Sequence, residues 1–144
     1  MQHHHIPDGF QAVSPYFCVE NAKGFIDILQ RAFSAEQLYL KELENGMVDH
    51  ALARIGNSLV EIADAKEGMP ANSFSFQLFV ENCDEVFDKA VKEGAIAIAS
   101  PANKPYGVRA GYVQDPWGNQ WYVSTQIKNR YSPAFWKILQ EQYQ

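Results

Sequence analysis

Phe74-Ser75-Phe76-Gln77-Leu78-Phe79-Val80-Glu81-Asn82 is the stretch that organises this chain. Its first seven residues alternate, Phe74, Phe76, Leu78 and Val80 against Ser75, Gln77 and Phe79. A period of two marks a strand with one face buried. Val80-Glu81-Asn82 also repeats Val19-Glu20-Asn21 at an offset of 61, and Gly118-Asn119 repeats Gly56-Asn57 at an offset of 62. Two matches at nearly one offset indicate an internal duplication.

The surroundings repeat as well. Residues 13–19 read as a strand like 74–80, and a helix follows each. Asn21 and Asn82 are suited to cap those helices, because a short side-chain oxygen can accept from free first-turn amides. Asp84 and Glu85 place negative charge in the first turn of the second helix, where the dipole favours it. Phe25, Ile28, Leu29, Ala32 and Phe33 share one helical face, as do Val86, Phe87, Ala90 and Val91. Gly94 is positioned to end the second helix. Three strands are expected after each helix, over 37–43, 48–55 and 58–64, then 95–99, 109–114 and 120–126. Asn45-Gly46 is a hairpin signal, and Asp115-Pro116-Trp117-Gly118-Asn119 has the order of a tight turn. The loop 100–108 joins two strands of the second half. The fold class is therefore α+β: two βαβββ repeats, about 11–64 and 73–126, curled around a cavity. A short C-terminal helix opens at Ser132-Pro133 and carries an apolar stripe of Phe135, Trp136, Leu139 and Tyr143.

The chain has 144 residues, 47% hydrophobic and 20% charged, which suits one packed domain. A net charge of -5 with scattered basic residues argues against a nucleic-acid partner and against an anionic membrane surface. No apolar run approaches the ~20 residues that span a bilayer, and Met1-Gln2-His3-His4-His5 is not a signal peptide. His3-His4-His5 precedes the domain and is assigned no catalytic role. Cys18 and Cys83 read as small core residues of a reduced, cytoplasmic chain.

Strand parity sorts side chains into two faces. One is apolar and belongs under the helices. The other mixes aromatic with polar groups: Ser14, Tyr16 and Cys18; His50, Leu52 and Arg54; Ser75, Gln77 and Phe79; Tyr112 and Gln114; Gln120, Tyr122 and Ser124. That composition fits a pocket lining better than a solvated face, because open aromatics form a costly patch. The candidate ligand-binding residues are Tyr16, His50, Arg54, Gln77, Phe79, Tyr112, Gln114 and Tyr122. His50, Tyr112 and Tyr122 are candidate acid–base groups. Arg54 and Arg109 suit either an anionic ligand or a surface ion pair. Trp117 and Trp121 read as turn and core packing. Glu61, paired with Val123 by the offset of 62, is placed on the parity opposite the pocket.

Ile6-Pro7-Asp8-Gly9-Phe10, Pro15-Tyr16-Phe17-Cys18-Val19, Arg31-Ala32-Phe33, and Arg109-Ala110-Gly111 leading to Asp115-Pro116-Trp117-Gly118-Asn119-Gln120-Trp121 resemble the single-domain glyoxalase/bleomycin-resistance/dioxygenase (vicinal oxygen chelate) superfamily over residues 6–127. The Asp-Pro-x-Gly-Asn turn before the last strand is the most specific mark. The resemblance implies a domain over 6–127, paired βαβββ modules forming a cupped eight-stranded mixed sheet around the cavity, and a homodimer; the C-terminal helix, over 128–144, lies beyond it. It also implies a divalent metal, whose ligand positions carried over fall on Ser14, His50, Ser75 and Tyr122. Only His50 is a donor of the needed kind, and a Zn or Fe site takes three or four N, S or carboxylate ligands. No metal or other cofactor is therefore expected.

The reading is a metal-free protein binding a small organic molecule, in the manner of the bleomycin-resistance branch. The alternatives are an enzyme of lyase, isomerase or dioxygenase type, metal-dependent or using His50 as acid–base, and a partner-binding module built on the C-terminal helix.

Overall fold

The computed structural model describes residues 4–128 and 133–142. The first module contains β1 (Tyr16–Val19), α1 (Ala22–Phe33), β2 (Glu36–Glu42), β3 (Val48–Ile55) and β4 (Ser58–Asp64). The second contains β5 (Ser75–Phe79), α2 (Cys83–Lys92), β6 (Ile96–Asn103), β7 (Val108–Gln114) and β8 (Gln120–Gln126), and α3 (Pro133–Gln142) follows. The α+β duplication is as expected. Its strands hydrogen-bond as two mixed sheets of four, in the orders β1-β4-β3-β2 and β5-β8-β7-β6.

Local chemistry starts both helices alike. The Asn21 side chain accepts from Gly24 N, and the Asn82 side chain from Glu85 N. The first helical amides are then taken up by the last strand of each module. Ala22 N donates to Asp64 Oδ1 at 2.9 Å, and Cys83 N donates to Thr125 Oγ1 at 2.9 Å. Both donors and both acceptors are related by an offset of 61, so the duplication extends to these anchors. Asp64 also accepts from Val48 N at 2.6 Å, which joins α1, β3 and β4 at one buried carboxylate.

The helix-side faces of the two sheets meet in one core. Phe17 of β1 is fully buried among Phe25, Phe74, Phe76 and Trp121, with ring centroids 4.8 to 6.3 Å apart. Phe33 of α1 packs on Trp121 at 4.6 Å. Trp117 packs on Phe25 and donates its indole N–H to Glu20 O, so the second module's turn is tied to the end of β1. Both tryptophans are packing residues, as the sequence suggested. Cys18 and Cys83 are buried free thiols.

The turn from Asp115 to Asn119 is a closed hydrogen-bond knot. The Asp115 carboxylate, 3% exposed, accepts from Trp117 N, Asn119 N, Asn119 Nδ2 and Trp121 Nε1, at 2.9 to 3.3 Å. Asn119 Oδ1 in turn accepts from Phe74 N at 2.9 Å, which fixes the start of β5. A buried carboxylate is tolerable only with such complete satisfaction.

Three expectations differ from the structure. Residues 100–103 continue β6, with register shifts around Ala99; Pro101 is accommodated because β6 is an edge strand with no second ladder to feed. The first strand begins at Tyr16, since Ser14 Oγ bonds back to Gln11 O. Val91 is exposed, as α2 covers the sheet through Phe87 and Ala90. Of the C-terminal stripe, the Ser132 cap, Tyr143 and the side chains of Phe135 and Leu139 lie outside the described residues.

Gly111 marks where α2 comes closest to its sheet. A Cβ there would lie 2.6 Å from Phe87 Cδ2 and 2.9 Å from Pro101 Cγ. Gly111→Ala is expected to cost about 1–3 kcal/mol through overpacking. Asp115→Ala should cost more, about 2–4 kcal/mol, because it strands buried donors. Urea unfolding of the two variants measures both, and an Asp115→Ala loss below that of Gly111→Ala would refute the ranking.

Candidate functional site

Cross-strand pairing builds a cluster on the outer face of the first sheet, the face away from α1. Tyr16 pairs with Glu61 and Glu61 with Leu52, which places His50 diagonally beside both. The His50 ring stacks on Tyr16 at 6.0 Å and leans on Tyr39 at 5.9 Å. His50 Nε2 lies 3.2 Å from Glu61 Oε1. Burial pushes the Tyr16 phenol above its ordinary value, with added repulsion from Cys18, Glu61 and Asp49. Asp49 carries Lys41 at 3.2 Å and Lys66 at 3.5 Å, and these hold its carboxyl below the usual range.

Glu61 is therefore on the same face as His50, which corrects the sequence-based placement. The turns are the cause. In the strands, Tyr16↔Glu61 corresponds to Gln77↔Tyr122, an offset of 61. The offset of 62 belongs to the glycines of two unlike turns, and one residue of slip exchanges the faces of a strand. Tyr39 was also missed. The bulge between Gln37 and Tyr39 changes the parity of β2 in a way no alternation reveals.

A second cluster occupies the outer face of the second sheet. Tyr112 and Tyr122 are direct cross-strand partners whose rings stack 4.2 Å apart and 8° from parallel. Tyr112 OH donates to Gln120 Oε1 at 2.6 Å, and Ser75 Oγ donates to the same oxygen at 3.2 Å. Ser124 Oγ donates to Gln77 Oε1 at 2.7 Å. Hydrogen bonding with Tyr122, and then desolvation, raises the Tyr112 phenol. Gln114 pairs with Gln120 at the edge of this group.

The candidate residues thus divide. Tyr16 and His50 fall in the first cluster, Gln77, Tyr112, Gln114 and Tyr122 in the second. Arg54 and Phe79 line a third place, an open groove of about 950 Å³ between the sheet ends, with Phe33, Glu36, Leu78 and Thr125. Arg54 pairs there with Glu36 at 3.6 Å. Arg109 forms a forked pair with Asp84 at 2.7 and 2.9 Å, which depresses the Asp84 carboxyl. A smaller recess of about 250 Å³ lies over the core between Phe17, Val60, Phe76 and Trp121. Neither space is lined by His50 or Tyr122. Both outer faces are open on the single chain: Phe79 is 61%, Tyr39 47% and Tyr122 37% exposed.

Among the described residues no three His, Cys, Asp or Glu side chains converge. His50 and Glu61 stand together with two phenols, and Ser14 and Ser75 offer hydroxyls already committed to protein acceptors. This set does not fit a Zn or Fe centre. No described helix is long and apolar enough to cross a membrane.

No family model matches the sequence. An uncharacterised protein of Mycobacterium bovis is 27% identical over 128 residues, covering 81% of this chain and 84% of its own. Among solved structures, TioX from Micromonospora sp. ML1 aligns with a TM-score of 0.66 at 21% identity, over 80% of this chain and 95% of its own. A glyoxalase/bleomycin resistance protein/dioxygenase superfamily member from Sphaerobacter thermophilus aligns at 0.60 and 18%, over 81% and 98%. The chain has the fold of that superfamily.

Raised phenol values carry a stability signature. Above pH 10 the unfolded chain ionises Tyr16 and Tyr112 before the folded chain does, so stability falls as pH rises there. Absorbance titration of tyrosinate should show late-titrating phenols. Tyr16→Phe and Tyr112→Phe should each remove one, and titration of every tyrosine near its ordinary value would refute the geometry.

Proposed function

We propose that this protein binds a small organic molecule on the outer sheet faces and that a second copy of the chain completes the pocket. The observation carrying this reading is the pair of open, polar-aromatic faces backed by a filled core. Tyr16, Tyr39, His50 and Glu61 stand on one, and Gln77, Tyr112, Gln120 and Tyr122 on the other. An aromatic surface interleaved with hydrogen-bonding groups is what a ligand site needs and what water solvates poorly. The likeness to a superfamily whose name includes bleomycin resistance supports a binding role. Arg54 and Arg109 are engaged by Glu36 and Asp84, so the site favours neutral or cationic guests. It works without a metal, in the cytoplasm. The domain is taken as 6–127.

Dimerisation brings the faces of two chains together and covers Phe79. Light scattering behind size exclusion should give twice the mass of one chain, and Phe79→Glu should give monomers with an unchanged far-UV spectrum. NMR titration of the wild type with a library of neutral and cationic aromatics should shift resonances of both clusters. A monomeric wild type would remove the two-chain pocket, and a library that moves neither face would refute small-molecule binding.

The His50–Glu61 contact at 3.2 Å favours one second reading. Glu61 orients the imidazole, and His50 acts as acid or base on the bound molecule. For a substrate found by turnover, His50→Ala should abolish the reaction and Glu61→Gln should move its pH profile. Unchanged turnover in His50→Ala would end this alternative.

A further inference from the structure

We infer that the outer face of the second sheet selects a planar aromatic ligand bearing carbonyl oxygens, seated against Tyr122 and held by the side-chain amide N–H groups of Gln77 and Gln120. This rests on the small-molecule reading above and narrows it to a ligand class. The starting point is which end of each amide is already used. Gln120 Oε1 receives two hydroxyls, Tyr112 OH at 2.6 Å and Ser75 Oγ at 3.2 Å. Gln77 Oε1 receives Ser124 Oγ at 2.7 Å. Contacts of 2.6 and 2.7 Å have the length of O–H···O bonds and are short for N–H···O. An amide whose oxygen is committed in this way presents its NH₂ in the other direction.

Neither Nε2 group donates to another described residue, and both glutamines reach solvent. Ser124 is fully buried and its hydroxyl has two acceptors in reach, Gln77 Oε1 at 2.7 Å and Tyr122 O at 3.3 Å; the shorter contact takes the proton and orients Gln77. Register does the rest. Gln77 is the direct neighbour of Tyr122 on β5, and Gln120 lies two residues before Tyr122 on the same face of β8. Two outward donor groups therefore flank an exposed ring whose other side is covered by Tyr112. Strands β5, β7 and β8 put no Asp, Glu, Lys or Arg on this face, as Arg109 turns toward Asp84 on α2. A charged ligand would find no counter-ion, and an apolar one would leave the amide donors unpaired at a cost. A neutral ring system with acceptor oxygens meets both requirements.

The test compares two tricyclic compounds of similar shape, lumichrome with two carbonyls and phenazine with none, by NMR titration of the full-length protein. Lumichrome should bind about tenfold more tightly, the worth of one well-made hydrogen bond, and should shift the Gln77 and Gln120 side-chain amide signals. Gln77→Glu and Gln120→Glu replace donors by acceptors at constant shape. Each should bring the preference below about threefold. Because a new carboxylate could disturb Tyr112, Gln120→Met provides the same test without charge. Equal binding of the two compounds, or variants that keep the preference, would overturn the donor inference while leaving small-molecule binding intact. Amide signals that neither compound moves would overturn it as well. The broader reading falls only if the aromatic library also leaves both faces unmoved.

Discussion

The second half of this structure is organised around one buried carboxylate. Asp115 has four nitrogen donors pointing at it, two from the turn backbone and two from the side chains of Asn119 and Trp121. Each donor sets something larger. The backbone amides close the turn, Trp121 is held at the centre of the aromatic core, and Asn119 is oriented to catch the amide of Phe74. With Phe74 placed, β5 enters in register with β8, and Gln77 stands opposite Tyr122. The position of the outer-face side chains is thus a consequence of satisfying a single carboxylate out of water.

Core and site are complementary products of the same alternation. On each sheet the apolar parity is consumed by α1, α2 and the opposing sheet, through Phe17, Phe76 and Trp121. What remains on the other parity could be fully polar at no energetic loss. Instead it holds stacked tyrosines and a histidine between aromatic rings, with Tyr112 hydrogen-bonded to Gln120 and His50 to Glu61. Both asparagine caps and both helix-start anchors, Asp64 and Thr125, keep the strands from shifting under these side chains.

Much of this was legible in the sequence, and the parts that were not share a physical cause. The helix caps at Asn21 and Asn82, the Asp115–Asn119 turn and the duplication are local, and local chemistry announces itself. Tyr16, His50, Tyr112 and Tyr122 were placed on the outer faces by parity because their strands are regular. Glu61 was misplaced because two turns of unlike construction do not preserve the strand offset, and Tyr39 was hidden by a bulge. The extension of β6 through Pro101 depended on its becoming an edge, which is a property of the assembled sheet. The division of the candidates among two outer faces and the Arg54–Phe79 groove depended on how the modules pack, and no strand pattern carries that information.

The bond from the Trp117 indole to the carbonyl of Glu20 spans 97 residues of sequence. Phe17 likewise waits for Trp121 before its pocket is filled. The first module therefore cannot reach its final packing as it leaves the ribosome, for Trp117 follows Glu20 by 97 residues. Such distant closure is slow, because loop entropy is surrendered before the contact rewards it. In the interval the chain presents unfinished aromatic surface, the condition under which nascent proteins meet chaperones or each other.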